Sequence, residues 1–553
     1  MVRSLLLTFA MLIGCAGVAL AQNTVLTGKV TDDKGEALIG ASIKILKGTD
    51  LVRGQVTDYN GEFRVQIDPG TYDVEFTYTG YQTARVSGVQ VLTGQLNFLN
   101  TTMSEGTVLT EAVITAYKVP LIEQDKTSGG QTLTSEQIKN LPTRSVNAIV
   151  ATTAGTTSID GGAINIKGSR SNATNYYLDG IRVAGSPPPV QDIEQLQVIT
   201  GGLGAEYGDV TGGVIAVVTK GPASKYSGAF EIENSYGLDP YGWLLGTANV
   251  SGPLLRKRNA DGTKGETLIG FRLSGQYLNQ RDDDPPAFSV HRAKDEVLDR
   301  ISANPLERVN GNIVATGESI TLDSVDVYKY NPNENNQRVD ITSKLDFRLS
   351  SNIDISLTGT YANTQDRFTP TGNGGWSDNN WLLVNAQNNP TSYGERYRGI
   401  FRFRHRLGSS DGGSSSANRV SISNASYQLQ FGFERGQGRT SDMRHGENYF
   451  NYGYIGLFDF NYVPTIGIVN DEFVHIDYGE QFQGYQAGNI NPGLAAYNAF
   501  ANPELISSYL AQNGRFSNIY NNLWSGMHAN INSVYNSVNR NESDIITITA
   551  NSS

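Results

Sequence analysis

Past residue 21, apolar and polar positions alternate along most of the chain, and the commonest period is two. In Ser42-Ile43-Lys44-Ile45, Glu62-Phe63-Arg64-Val65 and Thr71-Tyr72-Asp73-Val74-Glu75-Phe76 every second residue is apolar. Turn residues punctuate these runs: Asp33-Lys34-Gly35, Asp58-Tyr59-Asn60-Gly61 and Pro69-Gly70. Successive side chains of a strand point to opposite faces, so such a run buries one face and wets the other. Short strands at this spacing predict a small β-sandwich over residues 22–104. A β-prone stretch closed by Pro120 follows over residues 105–120.

From 128 the pattern is mixed. Thr134 and Ser135 offer an N-cap to a short amphipathic turn that stops at Leu141-Pro142, and a second helix is expected over 146–153, ending at Ala154-Gly155. Alternation then returns in Ala163 to Arg170, in Asn175 to Val183 with Asp179-Gly180 as a two-residue hairpin signal, in Ile193 to Gly202 and in Ala205 to Lys220. This predicts a second, α+β unit over 121–222. Beyond Lys225 the runs lengthen: Phe271, Leu273, Gly275 and Tyr277; Leu345, Phe347 and Leu349; Ile353, Ile355 and Leu357; Tyr427, Leu429, Phe431 and Phe433. One apolar and one polar face in roughly ten-residue runs is the pattern of an antiparallel barrel in lipid, although a soluble sandwich alternates too. Arg281-Asp282-Asp283-Asp284 and most of the Tyr- and Asn-rich region 445–541 are expected to be loops.

Composition agrees with a mainly β chain. Among 553 residues there are 61 Gly and 28 Tyr, which suit turns and pleated surfaces. Mean hydropathy is −0.33, and after residue 21 there is no apolar run near the ~20 residues of a membrane-spanning helix. A net charge of −11 argues against a nucleic-acid groove, which needs a basic face. Residues 1–21 read as an export signal: Arg3, the apolar stretch Leu5 to Leu20, and a small-x-small site at Ala19-Leu20-Ala21. Leu12-Ile13-Gly14-Cys15 also resembles a lipoprotein box around the one cysteine of the chain. Cleavage after Ala21 would leave neither a disulfide nor a thiol nucleophile. His291, His405, His445, His475 and His528 never fall at metal-hydrolase spacing, and Gly-x-Ser-x-Gly and phosphate-loop motifs do not occur. No catalytic residue, cofactor or metal is therefore expected, and Asp282 to Asp284 read as a solvated loop before they read as a calcium site.

The order Gly28-x-Val30, Gly40-Ala41, Asp58-x-x-Gly61-x-Phe63, Pro69-Gly70-x-Tyr72 and Tyr78-x-Gly80-Tyr81 resembles the carboxypeptidase-regulatory-like domain, with Leu38-Ile39 where a proline is common. The 121–222 unit is similar to the plug domain of TonB-dependent receptors: a helix before Leu141-Pro142, Gly168-Ser169-Arg170, Leu178-Asp179-Gly180, an Ile193-Glu194 strand, Tyr207-Gly208 and Gly212-Gly213-Val214-Ile215. The resemblance implies a mainly β protein made of an N-terminal β-sandwich, an α+β plug domain and a partial antiparallel transmembrane β-barrel over 226–553. It implies a structural role for Gly168, Arg170, Asp179, Gly180, Tyr207, Gly208, Gly212 and Gly213. It also implies that Thr110, Glu111, Ala112, Val113, Ile114 and Thr115 form a TonB box, an unpaired strand offered to a partner by β-augmentation.

The function implied is energised uptake of a scarce or large extracellular ligand through the bacterial outer membrane, with a TonB-type inner-membrane energy transducer and membrane lipid as partners. The alternative is a surface adhesin or scaffold without transport. A starch-utilisation-type receptor with a lipoprotein lid subunit is a further possibility, from which Thr200-Gly201-Gly202-Leu203-Gly204-Ala205 departs. Ligand-facing plug tips are expected around Ser158 to Ala163 and Val183 to Val190. Only about six to ten barrel strands can be placed, against about 22 in the family, so the barrel is expected to be incomplete.

Overall fold

The computed structural model describes residues 24–106, 113–116, 128–159, 161–185, 187–204, 207–208, 210–258, 262, 264–304, 306–310, 312–350, 352–370, 378–407, 425–448, 451, 456–490, 535 and 537–552. The export signal and Cys15 lie outside them.

Nine strands make the first unit: β1 (Val25–Asp32), β2 (Ser42–Lys47), β3 (Asp50–Val56), β4 (Glu62–Gln66), β5 (Gly70–Thr77), β6 (Ala84–Val91), β7 (Leu96–Phe98), β8 (Thr101–Met103) and β9 (Val113–Ala116). One sheet has β1 between β4 and the short β7 and β8, and the other runs β3-β2-β5-β6-β9. The alternation has its expected effect, since Ile43, Ile45, Phe63, Val74 and Phe76 all enter one core with Leu26 and Val30. Phe63 of the first sheet meets Phe76 of the second edge to face at 5.9 Å. Gly28 is glycine for want of room, because a Cβ there would collide with the Leu99 carbonyl.

In the second unit, β10 (Gly129–Thr134), β11 (Thr156–Thr157), β12 (Asn165–Ile166), β13 (Thr174–Leu178), β14 (Ile181–Val183), β15 (Ile193–Gly201) and β16 (Gly213–Thr219) accompany helices Ser135–Lys139 and Val146–Val150. The main sheet runs β10-β15-β16-β13-β14, and both helices pack on it through Ile138, Ile149 and Val150. The first helix carries a capping box between Thr134 and Gln137. The second stops at Val150, short of the expected 153. The Thr152 hydroxyl there donates to the Ile149 carbonyl (2.7 Å) and the Thr156 hydroxyl to the Val150 carbonyl (2.7 Å), and Gly155 turns the chain at φ +84°.

Long strands follow: β17 (Ser227–Asn234), β18 (Leu244–Arg258), β19 (Lys264–Gln280), the short β20 (Val290–Ala293), β21 (Leu306–Val309), β22 (Asn312–Ala315) and β23 (Val325–Tyr328), then β24 (Asn336–Arg348), β25 (Ile353–Arg367), β26 (Thr391–Leu407), β27 (Ala425–Ser441), β28 (Gly456–Val469), β29 (Glu472–Ala487) and β30 (Asn539–Ser552). Eight of them form one antiparallel sheet in the order β17-β18-β19-β24-β25-β26-β27-β30, and its two outer strands do not pair with each other. It is an open wall. Its connections differ in length by side: on the side of the sandwich β18–β19, β24–β25 and β26–β27 are joined by residues 259–263, 349–352 and 408–424, whereas on the other the longer segments 281–335, 368–390 and 442–538 join β19–β24, β25–β26 and β27–β30. On the far side Ala293, Val297, Leu298 and Ile301 build a small core with Val384.

Two expectations for these excursions need correction. Within region 445–541, residues 456–487 are not loop, because β28 and β29 pair from Gly456↔Ala487 to Val469↔Glu472 around Asn470-Asp471. Both turn residues have positive φ, 53° and 63°, the primed-turn geometry that Asn and Asp tolerate. Nor is Asp282 a solvated residue. It is fully buried and accepts hydrogen bonds from the Asn331 amide (2.6 Å) and the Asp284 amide (3.1 Å), so it organises the excursion.

Candidate functional site

The second unit sits on the inward face of the wall, and strand β26 shows why. Its sequence Arg396-Tyr397-Arg398-Gly399-Ile400-Phe401-Arg402-Phe403-Arg404-His405-Arg406 puts the arginines and Ile400 on one face and the aromatic residues on the other. Ile400 is buried in the core of the second unit. Phe401, like Leu273, Leu357, Leu429 and Phe431 on other strands, is exposed on the outer face.

Asp179 is the densest point of contact. It occupies the β13–β14 turn with φ +47° and Gly180 with φ +90°, between Leu178 and Ile181, which pair directly, so the Asp-Gly hairpin forms as its sequence predicts. Its carboxylate accepts from the Thr219 amide (2.8 Å) and hydroxyl (2.6 Å), from Lys344 Nζ (3.3 Å) and from the Thr358 hydroxyl (3.3 Å). Its carbonyl accepts from Gln430 Nε2 at 2.8 Å. One turn is thereby tied to β24, β25 and β27. The Asp179 and Lys344 side chains are only 6% and 7% exposed. Burial pushes the Asp179 carboxyl upward, but the charges of Lys344 and Arg402 and the Thr219 hydrogen bonds outweigh it and hold the carboxyl below its ordinary value.

Two further attachments flank this one. Asp192, 2% exposed, accepts from the Ser274 hydroxyl (2.5 Å) and pairs with Arg272 (3.3 Å) on β19. At the other end of the hairpin the Ala184 amide donates to Glu434 (2.9 Å) and its carbonyl accepts from Arg398 (2.5 Å), while Glu434 also pairs with Arg396 at 3.2 Å. Pro187, Pro188, Pro189 and Val190 are buried beside these residues. Of the two expected ligand-facing tips, this one is closed against the wall. The other, around Ile159, is exposed.

The remaining residues singled out from the sequence scatter by role. Gly212 and Gly213 lie where strands cross closely: a Cβ on Gly212 would meet the Ala173 carbonyl oxygen at 2.8 Å, and one on Gly213 the Ile199 carbonyl oxygen at 2.8 Å. Gly168 has φ +77° and open space, Gly208 open space alone. Tyr207 packs edge-on against Tyr177 at 5.0 Å. Arg170 is exposed, at the start of the 3-10 turn Ser171–Ala173. Lys344, Gln430, Glu434, Arg398, Asp192 and Arg272 were not singled out. For all but Asp192, which lies in the 3-10 turn before β15, the signal was the wet face of each strand, which predicts polar surroundings but no particular partner.

Thr110, Glu111 and Ala112 lie outside the described residues. Val113, Ile114 and Thr115 do not form the unpaired strand expected of them. They belong to β9, which runs parallel to β6 with Ala84↔Val113 and Ser87↔Ala116 in register, at the edge of the sandwich. An edge strand of the first unit was available, and β-prone residues paired with it.

No group of three or more His, Cys, Asp or Glu side chains among the described residues could hold a metal ion.

Compared with known proteins, residues 25–104 match the carboxypeptidase regulatory-like domain and residues 123–214 the TonB-dependent receptor plug domain. The TonB-dependent transporter Oar of Myxococcus xanthus is 26% identical over 234 residues, 38% of this chain and 22% of that one. Among solved structures, the chain is similar to the ferric enterobactin receptor PfeA of Pseudomonas aeruginosa (16% identity, TM-score 0.33, 57% of this chain and 50% of that one). It is likewise similar to the siderophore receptor PirA of Acinetobacter baumannii (16% identity, TM-score 0.33, 59% and 50%). The chain thus spans about a fifth of Oar and half of these receptors.

Proposed function

We propose that this chain, a TonB-dependent receptor by its plug domain, takes part in energised uptake of an extracellular ligand across a bacterial outer membrane. The single observation that carries the reading is the seating of the plug on the inward face of an antiparallel wall by a few discrete polar attachments, with Asp179 at their centre. Among the described residues Ile400 is the one wall side chain in the plug's buried apolar core, so the seat is mostly polar. Attachment through side chains that can be parted one set at a time is what a removable stopper requires.

In this reading the signal over 1–21 exports the chain, lipid covers the apolar face of the strands, and ligand meets the far-side excursions. A TonB-type protein of the inner membrane takes the segment around Thr110 to Thr115 as an added strand and pulls. The energy comes from that partner, so no catalytic group is assigned. A lipoprotein lid would sit over the far-side excursions.

Deleting Thr110 to Tyr117 from the gene in its own host tests the mechanism. Ligand should still bind the cell surface while its uptake falls to the level of a strain lacking the partner. Undiminished uptake contradicts the proposal. Growth of knockout and parent on single iron, cobalamin or glycan sources identifies the ligand class, and a lipoprotein co-purifying with the chain establishes the lid.

A further inference from the structure

The plug is not the only part fastened to the wall. From the sandwich, Asp50 faces Arg256 of β18 at 3.5 Å and accepts from the Thr267 hydroxyl of β19 at 2.6 Å. The Leu51 carbonyl accepts from Arg348 of β24 at 3.1 Å. Arg53 stands 3.8 Å from Asp354 of β25, and Asp68 2.6 Å from Arg404 of β26. These are five consecutive strands of the wall, each touched near its end on the side of the shorter connections. The sandwich also holds the plug: Gln195 of β15, 2% exposed, donates to the Val91 carbonyl (2.7 Å) and accepts from the Thr93 amide (3.0 Å).

The character of this contact is as telling as its extent. The apolar core of the sandwich ends at Met103 and that of the plug begins at Leu133, with no residue shared. Between them and the wall lies a cavity of mixed lining, in which the charged groups Asp68, Asp179, Lys344, Arg402 and Arg404 stand beside apolar Ile67 and Phe347. Beside Asp68 burial works to raise the carboxyl, yet the Arg404 and Arg402 guanidiniums prevail and hold it well below the usual carboxylate range. Permanent interfaces resemble a domain core cut in half, whereas interfaces meant to part are polar. The strand β9, which leads from the sandwich towards the plug, is itself paired to β6.

We infer that the sandwich is a detachable clasp across the near-side rim of the wall, held there by complementary charge, and that it must swing off before the plug can leave. Because β9 is seated on the sandwich's own edge strand β6, whatever draws on β9 loads the sandwich first. The inference rests on the receptor reading only for what does the drawing; the clasp itself is a property of this chain. Charge-held contacts weaken as salt shortens the screening length from roughly 10 Å at 0.1 M to roughly 3 Å at 1 M, most where water reaches them, as at Asp68, and least where both partners are buried; apolar contacts do not weaken.

The test is a distance measurement by pulsed electron spin resonance on the full chain, in a Cys15→Ser background. Spin labels go on Tyr59→Cys in the sandwich, 89% exposed, and Leu349→Cys in the wall turn, 62% exposed. At low salt one narrow distance distribution is expected. It should broaden towards longer distances in 1 M salt and with Asp68→Lys, and narrow again when Asp68→Arg is combined with Arg404→Asp. A narrow distribution indifferent to both salt and charge reversal overturns the clasp, as does a broad one at low salt. Should Asp68→Lys unfold the sandwich, seen as lost amide protection in β1 and β5, the salt arm decides alone. Loss of uptake in any of these strains bears on the receptor reading and leaves this result untouched.

Discussion

At the scale of single residues, Asp179 allows the cleanest test of the plug's seat. Its positive φ costs most side chains strain, but Asn tolerates it as Asp does. Asp179→Asn therefore removes the charge with little change in the turn, and leaves Lys344 buried against a neutral amide. Hydrogen bonds to charged groups contribute about 1.5–3 kcal/mol, so amides of Tyr176 to Val183 should exchange roughly ten- to a hundredfold faster in the variant. Unchanged exchange would reduce Asp179 to a turn residue. The pH dependence follows in sign. A carboxyl held below its ordinary value in the folded state stabilises that state above its unfolded pKa near ~3.9, and the contribution is lost as pH falls through the folded value. The difference in melting temperature between wild type and Asp179→Asn should then be constant from pH 8 to 5 and shrink only below about pH 4. A difference that shrinks between pH 7 and 5 contradicts the assignment.

Among the elements, β9 is the one whose behaviour differs most from what its residues alone predict. If it is seated on β6, the amides of Val113 to Ala116 that face the pair exchange slowly in the resting protein, together with their partners in Ala84 to Ser87. Fast exchange throughout Val113 to Ala116 sinks the docked strand and returns it to an unpaired tail. The sandwich strands, the capped helix before Pro142, the Asp179-Gly180 hairpin and the outward face of the wall were all legible beforehand, because each is a local matter of period, cap or turn. What lay hidden was of two kinds. Asn470-Asp471 makes a hairpin without the glycine that usually announces one. And period two tells which face of β24 or β26 is wet without telling that Lys344 meets Asp179 and Arg404 meets Asp68, residues 165 and 336 positions away.

For the molecule as a whole, the wall's two faces and its two rims predict an orientation. Phe230, Ile232, Leu273, Leu357, Phe431 and Ile548 stand exposed on the outer face, spread over five strands of one sheet, and large exposed apolar surfaces mark membrane or partner contacts. Membrane-spanning helices do not enter, since no helix among the described residues is long and apolar enough, which says nothing of strands. Strand barrels of the outer membrane keep short turns towards the periplasm and long loops towards the outside. The sandwich contacts the rim where the four residues 349–352 join β24 to β25, whereas the Ala293–Val384 core lies on the rim with the long excursions. With the sandwich inside, Leu322 on a long excursion, 82% exposed, and Leu349 on the tight turn, 62% exposed, fall on opposite sides of the membrane. Each is changed to Cys in turn in the gene of the native host, and intact cells are treated with a maleimide that cannot cross the outer membrane. Leu322→Cys should label at once. Leu349→Cys should label only after that membrane is opened, because lipid and wall separate it from the reagent. Equal labelling of both in intact cells removes the membrane from the account, and labelling of Leu349→Cys alone turns the molecule over and places the sandwich where no inner-membrane partner could reach it.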